Sequence, residues 1–160
     1  MVLFDFNKDS SLDQWVVVDD NVMGGRSDGR FLLNDNGHAV FKGEVSLENN
    51  GGFSSVRYSF DQIEVKDYTK MVLRIKGDGK RYQFRVKPDR NDRHSYIYYF
   101  ETSGEWQNIS IPLTQMKPFF RGRKLDIPNY SAQELEEVAI LISNKKAESF
   151  KLEIDKITLK

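Results

Sequence analysis

An all-β, antiparallel sandwich is what this sequence predicts, on three observations. Apolar residues recur with period two along most of the chain, which in a strand sends alternate side chains to opposite faces. Gly, Asn, Asp and Pro separate the alternating runs, as turn chemistry requires. No long amphipathic segment lies between those runs, so nothing is available to build parallel βαβ crossovers. At 160 residues the chain fits one domain spanning residues 1 to 160, because a domain of this size buries roughly two-thirds of its unfolded surface.

The expected strands run, in order, over Trp15 to Val18, Ala39 to Leu47, Ser54 to Ser59, Met71 to Lys76, Arg81 to Lys87, Ser95 to Phe100, Trp106 to Ile111, Val138 to Ile142 and Phe150 to Ile154. Gly77-Asp78-Gly79 reads as the turn of a hairpin between the fourth and fifth of these, since Asp-Gly accepts the positive φ of tight turns. One short helix is expected from Ser131 to Glu137, where Ser131 and Glu134 have capping-box spacing. Leu113 to Tyr130, punctuated by Pro118 and Pro128, reads as the longest and most mobile loop.

Composition narrows the function. Lys plus Arg and Asp plus Glu are 24 each, so no overall field favours nucleic acid or an anionic membrane surface. The absence of cysteine excludes disulfides, thiolate metal sites and cysteine nucleophiles. No run approaches the ~20 apolar residues of a spanning helix, and the amino terminus has no basic n-region followed by an apolar stretch. A soluble, cytoplasmic protein is expected.

Two glycine-hinged segments are the densest motifs: Asp19-Asp20-Asn21-Val22-Met23-Gly24-Gly25-Arg26-Ser27, and Leu47 to Arg57 with Asn49-Asn50-Gly51-Gly52-Phe53. Such pairs permit left-handed backbone and close approach, and their amides and acids bond backbone or bind a ligand. Their similar grammar predicts that they meet and brace one end of the sandwich. Asp19, Asp20 and Asn21 have calcium-type oxygens but too few of them, so no metal is expected. Neither Gly24-Gly25 nor Gly77-Asp78-Gly79 has dinucleotide spacing or precedes a helix, which argues against a nicotinamide or flavin cofactor.

Catalytic patterns are sparse. His38 and His94 lie in polar stretches that read as surface, and Glu44, Glu48, Glu101 and Glu105 read as a solvated face rather than a glycosidase pair. The polar face of the expected hairpin is more informative, for Arg74, Lys76, Gln83, Arg85 and Lys87 would project together while Leu73, Ile75, Phe84 and Val86 turn inward. Phe119 and Arg121, in a proline-bounded stretch, form a second expected partner-facing edge.

The motifs together resemble those of the complex I intermediate-associated protein 30 family. Trp15 with Asp19 to Ser27 looks like the family's opening motif. Phe41 to Leu47 with Asn50 to Arg57 looks like its second. Gly77 to Tyr82, Trp106 with Ile111-Pro112-Leu113, and Phe150 to Ile157 follow in order. The resemblance implies a galactose-binding-like jelly-roll sandwich without catalysis, a protein partner, and a role like that of an assembly factor holding respiratory complex I intermediates. The same architecture serves carbohydrate-binding modules, so a glycan is the alternative ligand. The binding residues expected are Asp20, Asn21, Met23, Arg26, Asn50, Phe53, Arg57, Arg74, Gln83, Arg85, Tyr98, Phe119 and Arg121.

Overall fold

The computed structural model describes residues 1–20 and 24–160, with Asn50 described by its backbone only. Its strands are β1 Val2–Asp5, β2 Trp15–Asp19, β3 Asp28–Leu33, β4 Ala39–Val45, β5 Ser54–Glu64, β6 Lys70–Lys76 and β7 Arg81–Lys87. They continue with β8 Ser95–Glu101, β9 Trp106–Pro112, β10 Lys117–Phe120, β11 Arg123–Lys124, β12 Glu134–Ile142 and β13 Glu148–Leu159. Two sheets form. One runs β3-β4-β13-β6-β9, with β1 added on β13, and the other runs β11-β10-β8-β7-β12-β5-β2. Every pairing is antiparallel. The expected sandwich is therefore the observed one.

The core lies between the sheets, where Phe41, Leu73, Ile75, Ile111, Leu152 and Ile154 from the first meet Val56, Tyr82, Phe84, Val86, Val138 and Ile140 from the second. At one flank the rings of Trp15 and Tyr58 stack at 4.8 Å, and those of Trp15 and Phe31 at 5.0 Å.

Three expectations are corrected. β6 and β7 alternate as predicted but do not pair. Gly77 to Lys80 carries the chain from one sheet to the other, and each strand takes different neighbours. A Cβ on Gly77 would lie 2.2 Å from that of Thr102, so this crossing is pressed against the β8–β9 connection. Asp78 ties the sheets here: it accepts the Lys151 amide of β13 at 2.8 Å and the Tyr82 hydroxyl of β7 at 3.1 Å.

The expected helix at Ser131 to Glu137 is absent; Glu134 opens β12 instead. Leu135 and Val138 are both core residues because the β12–β5 register shifts between Leu135 and Glu137. That shift places inward side chains three residues apart, a spacing a helix shares. A six- or seven-residue helix is marginal alone, whereas β12 pairs on both sides. Leu113 to Tyr130 is likewise no open loop: it contains a 3-10 turn at Leu113–Gln115 and the β10–β11 hairpin, docked on β8.

Candidate functional site

The two glycine-hinged segments meet, and Asp20 is what they meet around. Its buried carboxylate accepts the Ser27 amide at 2.9 Å and hydroxyl at 2.5 Å, the Gly52 amide at 2.6 Å and the Phe53 amide at 3.2 Å. Burial raises the Asp20 pKa, but the bonds from Ser27, Gly52 and Phe53 prevail and hold it below its ordinary value. Each glycine pair divides its labour. Gly24 and Gly52 take positive φ, 89° and 145°. Gly25 and Gly51 have no room for a side chain, since a Cβ on either would come within 2.5 Å of the Asp20 carboxylate.

Beside this socket Asp19 accepts the Gly29 amide at 2.8 Å and the Ser54 hydroxyl at 2.5 Å. Both carboxylates are thus committed to the protein's own donors. Arg26 is exposed and pairs loosely with Glu48 at 3.6 Å, and Phe53 is half-buried. Asn21, Met23 and the side chain of Asn50 lie outside the described residues.

Gln83 and Arg85 project from the outer face of the seven-stranded sheet. Arg74 and Lys76 do not join them, because β6 belongs to the other sheet. Arg74 there lines a cleft of about 440 Å³ with Lys70, Lys156 and Asp155. Tyr98 points inward against the core. What the register does bring together is Arg57 and Arg85, for Ala139 stands directly opposite both. Gln83 pairs with Leu141 on one side and Tyr99 on the other, and Ile97 with Arg85. Phe119 shares this outward face through Ser95, which sits two residues from Ile97. Arg121 and Gly122, at φ 50° and 77°, form the two-residue turn between β10 and β11, of the twisted kind that suits hairpins. The Arg121 guanidinium stands 5.3 Å from the Phe120 ring.

The centre of this face is apolar. Ile97, Ala139 and Leu141 are buried yet do not belong to the core cluster, so only outward neighbours cover them. Aliphatic stems of long cations commonly provide such cover. Val16 and Tyr99 are more open, 55% and 43% exposed, and Arg81 stacks on Tyr99 at 4.4 Å. Burial pushes Arg85 down to about 10; Tyr99 opposes that shift and Arg57 adds to it. Lys87 is lowered too, chiefly by burial. Sequence reasoning passed over Ala139, Leu141 and Val16. The unbroken run Val138 to Ile142 was the available signal, because a strand apolar on both faces has both faces covered.

His38 is less open than expected: its ring packs 4.7 Å from Trp106 and stands 3.6 Å from Asp155. His94 is half-buried against Tyr96. Among the described residues no three His, Cys, Asp or Glu side chains converge as metal ligands.

Two antiparallel sheets packed face to face in this strand order define the jelly-roll class to which many carbohydrate-binding modules belong. A family 11 module from a cellulosomal cellulase of Clostridium thermocellum is similar in structure, with a TM-score of 0.74 over 99% of this chain and 92% of that one, at 15% identity. That likeness concerns the fold alone. The chain belongs to the Complex I intermediate-associated protein 30 (CIA30) family, whose model matches residues 4–154. The mitochondrial protein of that name from Mus musculus is 25% identical over 96% of this chain and 54% of its own length. The Drosophila melanogaster counterpart is 27% identical over 78% of this chain and 50% of its own. The chain spans about half the length of these curated relatives.

Proposed function

We propose that this chain is a non-catalytic binding module that holds a protein partner, an intermediate in the assembly of respiratory complex I, on the outer face of its seven-stranded sheet. One observation carries the reading: on a sheet face away from the core, exposed Val16 and Tyr99 and half-buried Arg57 and Arg85 surround a covered strip of Ile97, Ala139 and Leu141. Apolar centres ringed by arginine and tyrosine are the composition of protein interfaces. Family membership supplies the kind of partner, since the curated relatives are named for association with complex I intermediates.

A glycan ranks second. Sugar binding favours open aromatic platforms, and Tyr99 is already covered in part by the Arg81 guanidinium. Among the described residues no helix is long and apolar enough to cross a membrane. Affinity capture of the tagged chain from its own cells, resolved by native electrophoresis and mass spectrometry, tests the reading. Complex I subunits should co-migrate with it; their absence under conditions that preserve assembly intermediates would sink it.

A further inference from the structure

Arg85 is half-buried on this face, and its guanidinium has no counterion among the described residues. Its Nε and Nη2 both donate to Gln83 Oε1, at 3.0 and 2.7 Å, which locks the fork and leaves Nη1 with no hydrogen bond among the described residues. No carboxylate lies within 4 Å of Arg85 or of Arg57 among the described residues. Of the carboxylates on this face, Glu137 stands opposite Lys87 and accepts the Ser59 hydroxyl at 3.1 Å, and Glu101 stands opposite Arg81. Arg57 and Arg85 repel each other across Ala139 with no carboxylate within 4 Å of either among the described residues, an arrangement that folding alone does not call for.

We propose that Arg57, Arg85 and Gln83 form a carboxylate-binding site, filled by an Asp or Glu side chain in an acidic segment of the partner protein. The site offers donors and lacks acceptors. Gln83 gives its carbonyl to Arg85, so the Gln83 amide, Arg85 Nη1 and the Arg57 fork remain to bind an acceptor-only group. Arg57 and Arg85 lie two strands apart, about 10 Å between backbones. Only the short side chain of Ala139 stands between them in the register. Carboxylates match guanidinium forks in geometry, and Leu141 and Ile97 make the floor of the site apolar. This inference rests on the protein-binding reading and gives that partner its chemistry.

The test uses the whole chain, a hexaglutamate peptide, a hexaglutamine control and hexagalacturonate, followed by NMR of the Arg85 Nε–Hε and Ala139 amide signals. Hexaglutamate should shift both signals saturably and hexaglutamine neither. Arg85→Met and Arg57→Gln should each weaken hexaglutamate binding about tenfold or more. Arg85→Met should remain folded, with parent-like amide signals away from the outer face, although Gln83 loses its two donors. Arg85→Lys, which keeps charge but loses the fork, should bind weakly in a parent-like fold. Hexaglutamate affinity unchanged in these variants would overturn the site. Tighter binding of hexagalacturonate on the same signals would overturn its protein occupant. Should the parent capture complex I subunits and Arg85→Met capture them equally, the assembly role stands and this site falls. Should hexaglutamate bind through Arg85 while no subunit is captured, the site stands and the assembly role falls.

Discussion

The carboxylate of Asp20 accepts the amide of Gly52 at 2.6 Å across 32 residues of sequence. This bond joins the two glycine-hinged segments, and the remaining donors of Ser27 and Phe53 surround the same two oxygens. An anion satisfied by backbone amides needs no cation, and removing it strands several buried donors at once. Asp20→Ala should therefore destabilise the fold by about 3 kcal/mol. Asp20→Asn, which also turns a donor toward the amides, should cost at least as much. Urea denaturation of the two variants checks the expectation; parent-like midpoints would refute it.

The glycines should rank by mechanism. An alanine at Gly25 or Gly51 meets the Asp20 carboxylate at 2.5 Å. At Gly24 it meets open space and suffers only the positive φ, a cost of about 1 kcal/mol. Thermal melts should place Gly25→Ala and Gly51→Ala below Gly24→Ala. Equal melting temperatures for all three would show that the socket yields freely.

Acid should open the same socket. The folded-state pKa of Asp20 is depressed below the ordinary carboxylate value. Its contribution is thus fully present above the unfolded value and lost as pH falls through the lower folded one. Stability measured by denaturant titration from pH 7 downward should fall below pH ~4 by more in the parent than in Asp20→Asn. Parallel pH profiles would remove Asp20 from the account of acid sensitivity.

Strand existence was legible because the core alternates strictly where register holds: Leu73 and Ile75 in β6, Phe84 and Val86 in β7. Sheet membership was not, since Gly77-Asp78-Gly79 suits both a hairpin and an inter-sheet crossing. What decides between them is the distant pairing of β6 with β13 and of β7 with β12. That choice moved Arg74 to the far side of the molecule from Arg85. The strand at Glu134 was hidden by its register shift, and β13 carries another such shift between Ile154 and Lys156, which sets the core residues Ile154 and Ile157 three apart. Arg57 beside Arg85 rests on long-range register about Ala139, which no local pattern announces.

Asp78 should matter more than a turn residue ordinarily does. It accepts from Lys151 in one sheet and Tyr82 in the other, and burial followed by the Asp78 charge pushes the Tyr82 phenol well above its ordinary range. Asp78→Ala should cost about 2 kcal/mol, and Tyr82→Phe about 1 kcal/mol, as one neutral donor is lost. Amide exchange at Lys151 should accelerate in Asp78→Ala alone. Unchanged protection there would mean that the strands hold without this tie.

Stability and capture should separate at the β10–β11 hairpin. Arg121 is exposed and adopts φ 50°, so alanine there would confound a lost contact with backbone strain. Arg121→Asn avoids this, because asparagine accepts left-handed backbone and suits the first position of such a turn. It should melt within about 0.5 kcal/mol of the parent. Phe119 is half-buried on the outer face beside Ser95, and Phe119→Ala should cost more, about 1 to 2 kcal/mol, for lost apolar contact. If the partner spans the sheet from Arg57 to this edge, both variants should weaken capture of complex I subunits, Phe119→Ala the more strongly because aromatic anchors dominate interfaces. Capture undiminished in both would confine the partner to the strip about Ala139. Loss of capture in Arg121→Asn together with a large fall in melting temperature would instead make the turn a structural element, and the hairpin would leave the interface.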